Sequence, residues 1–132
     1  AIALPAYQDY TIRAKVSEGL NLAAAAKIAV SETRFTLGTF PANNSSAGYA
    51  GAKTAIVNSI GIGSDGIGSA GEITITYDTP NEINGSILVL TPTISSVGQV
   101  AEWFCNALGS TKPGGTGTQG TLVSKYAPAN CR

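Results

Sequence analysis

Residues 6–32 contain no proline and a single glycine, Gly19, and this unbroken run constrains the chain more than any other feature. Strong helix formers fill its second half, Leu20-Asn21-Leu22-Ala23-Ala24-Ala25-Ala26-Lys27. Ile12, Val16, Leu20, Ala23, Ala24 and Ile28 recur at spacings of three and four, the mark of one buried stripe. Val16, Leu20, Ala24 and Ile28 are therefore expected to form the core face of the helix. Lys27 interrupts the stripe, but a lysine stem can lie along apolar surface with its ammonium in water. A helix over residues 4–31 would be about 42 Å long at ~1.5 Å per residue, longer than a domain of this size easily covers.

The other side of that helix is not purely polar. Leu4, Tyr7, Leu22, Ala25 and Ala26 project away from the stripe, among Thr11, Lys15 and Glu18. A helix that is partly apolar all round has a second surface to pack against. Other subunits are the expected partner. The chain opens on Ala1-Ile2-Ala3-Leu4, which reads as the tail of a longer hydrophobic segment. These residues alone fall well short of the ~20 that span a bilayer.

A chain of 132 residues fits one domain with a modest core. Eight basic and eight acidic residues cancel, which argues against a general nucleic-acid or membrane-surface binder. The charges nevertheless fall in blocks. Asp65, Glu72, Asp78, Glu82 and Glu102 occur between residues 54 and 111 with no base, whereas Lys112, Lys125 and Arg132 follow with no acid. Such blocks can set the register between repeated copies.

Beyond residue 32 the helical pattern fades, and Gly38 and Pro41 stop anything longer. Residues 40–53 are small and polar and read as a surface loop over the helix–sheet junction. The N-x-[ST] patterns at Asn43, Asn44 and Asn84 are taken as chance. Strands are expected over residues 54–62, 72–77, 86–92 and 100–105. In the second, Ile73, Ile75 and Tyr77 alternate with Glu72, Thr74 and Thr76, one face buried and one solvated. Pro92 is expected to end the pairing of the third. Gly61, Gly63 and Gly66 match G-x-G-x-x-G, but the next element is a strand rather than a helix, so they read as turn glycines and not as a pyrophosphate cradle. Four strands with short turns make an antiparallel meander, and the N-terminal helix is the available cover for its apolar face, an α+β arrangement. The tail from residue 106 is loop-like and glycine-rich, with Thr121-Leu122-Val123 pairing briefly with a strand.

Parts for catalysis are missing from this pattern. There is no histidine to act as a base near neutral pH, no serine in a G-x-S-x-G elbow, and no evident pairing among the carboxylates. Neither an enzyme nor a cofactor is expected. Cys105 and Cys131 are either two buried thiols or one disulfide, and their spacing does not decide. Metal binding lacks further ligands to complete a tetrahedral site.

Two segments resemble type IV pilins, and the type IVa subclass most closely. The first is Ile2-Ala3-Leu4-Pro5-Ala6-Tyr7-Gln8-Asp9-Tyr10-Thr11 followed by Arg13-Ala14-Lys15-Val16-Ser17-Glu18, similar to the stretch just past the membrane-spanning half-helix. The second is Trp103 and Cys105, then Lys125-Tyr126-Ala127-Pro128 and Cys131, similar to the family's C-terminal D-region. The family's signature start does not occur among these residues, which suit an N-terminally truncated soluble form. Prepilin cleavage and methylation follow from the resemblance alone.

The resemblance implies the pilin fold, a long N-terminal helix packed on a four-stranded antiparallel sheet within one globular domain. Residues 1–32 would be the C-terminal part of the pilin helix, 33–53 the αβ-loop, 54–105 the sheet and 105–131 the D-region. It implies a Cys105–Cys131 disulfide, which by closing a loop of about 26 residues would contribute roughly 3 to 4 kcal/mol. It also implies a major pilin, self-assembling through the helix into a helical homopolymer with the help of the pilus assembly machinery. The full-length form would be held in the inner membrane before assembly and lie in the extracellular pilus afterwards. Surface adhesion, twitching motility and DNA uptake or biofilm formation are the associated activities, with Lys112, Lys125 and Arg132 as a surface-binding stripe. A minor pilin or adhesin, or a type II secretion pseudopilin, is the alternative.

Overall fold

The computed structural model describes residues 3–110 and 117–132. Two helices, α1 (Ala3–Leu22) and α2 (Ala24–Leu37), form one bent rod. Ala23, with φ −72° and ψ −6°, departs from helical geometry, yet its N–H still donates to Gly19 O and its carbonyl still accepts from Lys27 N–H, each at 3.0 Å. One tightened residue bends the rod without breaking it. The helix also runs five residues past the expected end at Glu32, because nothing between Thr33 and Leu37 breaks it. Gly38 closes it in the left-handed conformation (φ 72°), its N–H donating to Arg34 O at 3.0 Å.

The buried stripe is Ile12, Val16, Gly19, Ala23, Ala26 and Val30. This corrects the expected phase of the second half. Val16 is fully buried and Leu20 half-buried, but Ala24 faces outward and Ile28 is 59% exposed. Of the residues expected outside, Ala26 is buried and Leu22 packs against the core. Four consecutive alanines carry no contrast between faces, so the pattern around them admits either phase.

The sheet is antiparallel, in the order β1 (Val57–Ile62), β2 (Ile73–Tyr77), β3 (Ile87–Ile94), β4 (Val100–Asn106). Directly opposed residues share a face. Ile62↔Ile73↔Leu90↔Cys105 and Ile60↔Ile75↔Leu88 are two such rows, and with Tyr77 they are buried against the helix. Tyr77 Oη donates to Val16 O at 2.7 Å, and a Cβ on Gly19 would lie 2.5 Å from Tyr77 Oη. Gly19 is thus the gap in the helix into which Tyr77 fits.

Two expectations for the sheet are corrected. Pro92 does not end β3, which pairs through Pro92↔Trp103 to Ile94↔Val100. Beyond Leu90 the strand has no partner in β2, so a missing N–H costs no ladder bond on that side. Nor is the second face of β2 solvated, since Glu72 and Thr74 are buried. The turn before β2 folds over them, with Ile67 N–H donating to Thr74 Oγ1 at 3.0 Å. Gly66 permits this approach, because a Cβ there would meet Thr74 Oγ1 at 2.1 Å. Gly61 and Gly63 likewise abut backbone atoms of Asp65 and Ala42, and the element they enter is a single 3-10 turn, Gly63–Asp65.

The loop between α2 and β1 is pinned to the β1 edge through Asn44. Asn44 Oδ1 accepts from Ile62 N–H at 2.6 Å, Asn44 Nδ2 donates to Ile60 O at 3.4 Å, and Asn44 N–H donates to Asp65 Oδ2 at 2.8 Å. A side-chain amide thus takes the place of a fifth strand and blunts that edge.

Candidate assembly surface

With its inner stripe spent on the sheet, the helix leaves a second stripe open. Tyr7, Tyr10, Ala14, Ser17, Asn21, Ala24 and Ile28 are all exposed, at alternating spacings of three and four, with Leu4 and Phe35 continuing the line at either end. Leu4, Tyr7, Tyr10, Ile28 and Phe35 are each 59–73% exposed, large apolar or aromatic side chains left in water on one surface. Alternation of three and four is the a/d spacing by which helices pack on one another, and a polar Asn21 within it would fix register. A shallow groove lined by Tyr10, Arg13, Ala14 and Ser17 runs along this face. The rows of residues were present in the sequence. The sequence reading placed Leu4 and Tyr7 on such a second surface facing other subunits. It set Ala24 and Ile28 in the core stripe and did not carry the line through Tyr10, because large apolar residues on a helix are assigned by default to its core.

The C-terminal tail is fastened to both sides of the sheet. Cys105 at the end of β4 is disulfide-bonded to Cys131, with Cα atoms 4.5 Å apart. Ala107 N–H donates to Cys131 O at 2.9 Å, and Thr121 and Leu122 N–H both donate to Ile87 O, the brief pairing expected of this segment. On the helix side, Leu122 and Tyr126 enter the core, and Arg13 Nε donates to Lys125 O at 2.6 Å. On the outer side, Thr118 donates through both N–H and Oγ1 to the Glu72 carboxylate, at 2.9 and 2.8 Å.

The expected basic stripe divides three ways. Lys112 lies outside the described residues. Lys125 is not free of acids, since Asp9 on α1 approaches its Nζ at 3.8 Å, although the lysine stays more than half exposed. Arg132 is exposed, with Nε donating to Ala127 O at 3.0 Å. Asp9 and Lys125 are too far apart in sequence for any pattern to have paired them. Among the described residues no three metal-ligating side chains cluster, and no helix is long and apolar enough to cross a membrane.

Helix, meander and cysteine-closed tail together define a pilin. Residues 12–132 match the family model described as pilin, a bacterial filament, and the chain belongs to that family. Over its whole length the chain is 37% identical to the type IV major pilin protein PilE of Neisseria gonorrhoeae, covering 82% of that protein. It is 36% identical to a fimbrial protein of Neisseria meningitidis serogroup A, again covering 82%, and 35% identical to the fimbrial protein EcpC of Eikenella corrodens, covering 78%.

Proposed function

We propose that this chain is the repeating structural subunit, the major pilin, of a type IV pilus. The observation that carries the reading is the open a/d stripe from Tyr7 to Ile28 on a rod whose other face is already buried. In a filament, copies of this stripe bury one another's aromatic and aliphatic side chains, each worth about 1.5–3 kcal/mol when fully covered. The role is structural, with the subunit's chemistry limited to burial and packing. Its place is the extracellular pilus, and the full-length form waits in the inner membrane for the assembly machinery, its apolar helix exchanging lipid for protein contacts on assembly. The full-length relatives named as major pilin and fimbrial proteins support the major rather than the minor subunit or pseudopilin. Adhesion, twitching and DNA uptake are activities of the filament, and Lys125, Arg132 and Lys112 are its candidate contacts with anionic surfaces.

The test is substitution on the open stripe. Tyr10→Glu and Ile28→Glu each place a charge where a neighbouring helix would pack. Sheared surface filaments should disappear, while the isolated domain keeps its stability within about 0.5 kcal/mol, as exposed substitutions do. Normal filament yield from both variants would overturn the reading.

A further inference from the structure

Glu72 is a carboxylate with 4% of its surface exposed, and no charged side chain faces it among the described residues. Its neighbours are Ser69 and Gly68 from the preceding turn, Thr91 from β3, and Gly117 and Thr118 from the tail, with Asn106 of β4 behind Thr91. Four donors converge on its two oxygens. Thr91 Oγ1 (2.7 Å) and Thr118 N–H (2.9 Å) share Oε1, whereas Ser69 N–H (2.6 Å) and Thr118 Oγ1 (2.8 Å) share Oε2. That number matches the lone-pair sites of an ionised carboxylate, which accepts only. Gly117 and Gly68 permit the approach, since a Cβ on Gly117 would meet Thr91 Oγ1 at 2.1 Å and Glu72 Oε1 at 2.9 Å, and one on Gly68 would meet Glu72 Oε2 at 3.0 Å.

A proton on either oxygen turns one acceptor site into a donor. A threonine hydroxyl can turn to accept it, the Ser69 and Thr118 N–H groups cannot, and every bond to the carboxyl loses the charge that strengthens it. The four partners are not equally free to leave. Ser69 is three residues away and is also held by Glu72 N–H donating to its carbonyl at 2.9 Å. Thr91 lies in β3 and accepts in addition from Asn106 Nδ2 at 3.1 Å. Thr118 is 46 residues away in sequence, and both its bonds to the sheet end on this carboxylate. We propose that Glu72 is a proton-operated latch: ionised, it clasps the tail at Thr118 to the outer face of the sheet, and protonated, it releases that segment while the Cys105–Cys131 bond keeps the loop closed.

Burial pushes the Glu72 carboxyl up, and the bonds from Ser69, Thr91 and Thr118 together outweigh it and hold the group below the usual carboxylate range. A depressed value means that docking is complete above that range and is lost as pH falls through the lowered value. The device is independent of filament formation, so it can be tested on this chain in solution. In the native chain, hydrogen-exchange protection of the Thr118 amide should be constant near neutrality and fall at least tenfold as the Glu72 carboxyl titrates, followed by its 13C shift. Ile75 and Leu88 amides in the β2–β3 ladder should stay protected through the same range. In Glu72→Gln, Thr118 protection should already be about tenfold to a hundredfold lower at pH 7, the scale of a lost charged hydrogen bond, and flat with pH. If that variant does not fold, Gly117→Ala, which wedges the tail away and leaves the carboxylate, should lower Thr118 protection at pH 7 and return the Glu72 titration to the ordinary range. Equal Thr118 protection in native and variant chains, loss of the ladder amides together with Thr118, or an ordinary Glu72 titration in the native chain would each overturn the latch.

Discussion

At Gly19 a residue that looks like a defect in a good helix former turns out to be required. Glycine inside a helix costs roughly 0.5–1 kcal/mol relative to alanine, so an isolated helix would gain from Gly19→Ala. Here the added methyl would stand 2.5 Å from Tyr77 Oη and 2.8 Å from the ring, inside a contact where Tyr77 is buried and donates to Val16 O. Overpacking of this kind costs about 1–3 kcal/mol and outweighs the helical gain. The variant should therefore melt several degrees lower than the native domain, and a melting temperature at or above the native one would mean that Tyr77 can move aside. Single-residue features of this type have no periodic signature, which is why Gly19, Asn44 and Glu72 could be read only as a helix blemish, a loop residue and a strand-face acid.

Elements were far more legible than the contacts between them. The four strands follow from β-branched and apolar runs set between turn residues, with clean period-two alternation in the second, and the register places Ile73, Ile75 and Tyr77 on the helix side as their spacing required. The first half of the helix was readable for the same reason, because Ile12 and Val16 stand out against polar neighbours. Its second half was not, since Ala23, Ala24, Ala25 and Ala26 are indistinguishable by type and Ile28, large and apolar, belongs to the open side. Hydrophobic pattern reports that a residue avoids water without saying whether its cover is in the same chain. The tail was legible through its two cysteines, the brief pairing of Thr121-Leu122-Val123 and its resemblance to the family's D-region. Its links to Glu72, Ile87 and Arg13 join residues far apart in sequence. Removing the bond by Cys105→Ser with Cys131→Ser should cost about 2–5 kcal/mol, seen as a fall in the urea midpoint. No change in the midpoint would show that the tail's other contacts already restrain it.

For the whole molecule, a net charge of zero conceals an arrangement that repetition would amplify. One copy offers Lys125, more than half exposed, and an exposed Arg132, too little for firm binding alone. A filament presents the same pair on every copy, and weak contacts then add through effective concentration. Lys112→Gln with Lys125→Gln should leave filament yield intact, because the Asp9–Lys125 pair that is lost is an exposed one worth at most about 1 kcal/mol. Binding of the filament to DNA or an anionic surface should weaken, along with its steep dependence on salt. Unchanged binding would rule out the basic stripe, whereas missing filaments would show that these charges hold subunits together.

The seat of Tyr77 over Gly19 also sets an angle. Each helical residue turns the rod by about 100°, given ~3.6 residues per turn, so sliding the contact by one position would swing the open stripe a quarter-turn or more around the rod. Only Gly19 in that stretch lacks the methyl that would bar the ring, and the rod can therefore dock on the sheet at one azimuth. In a polymer built on rods, that azimuth fixes which way every globular domain points from the axis, and so which parts of the tail and loops form the outer skin.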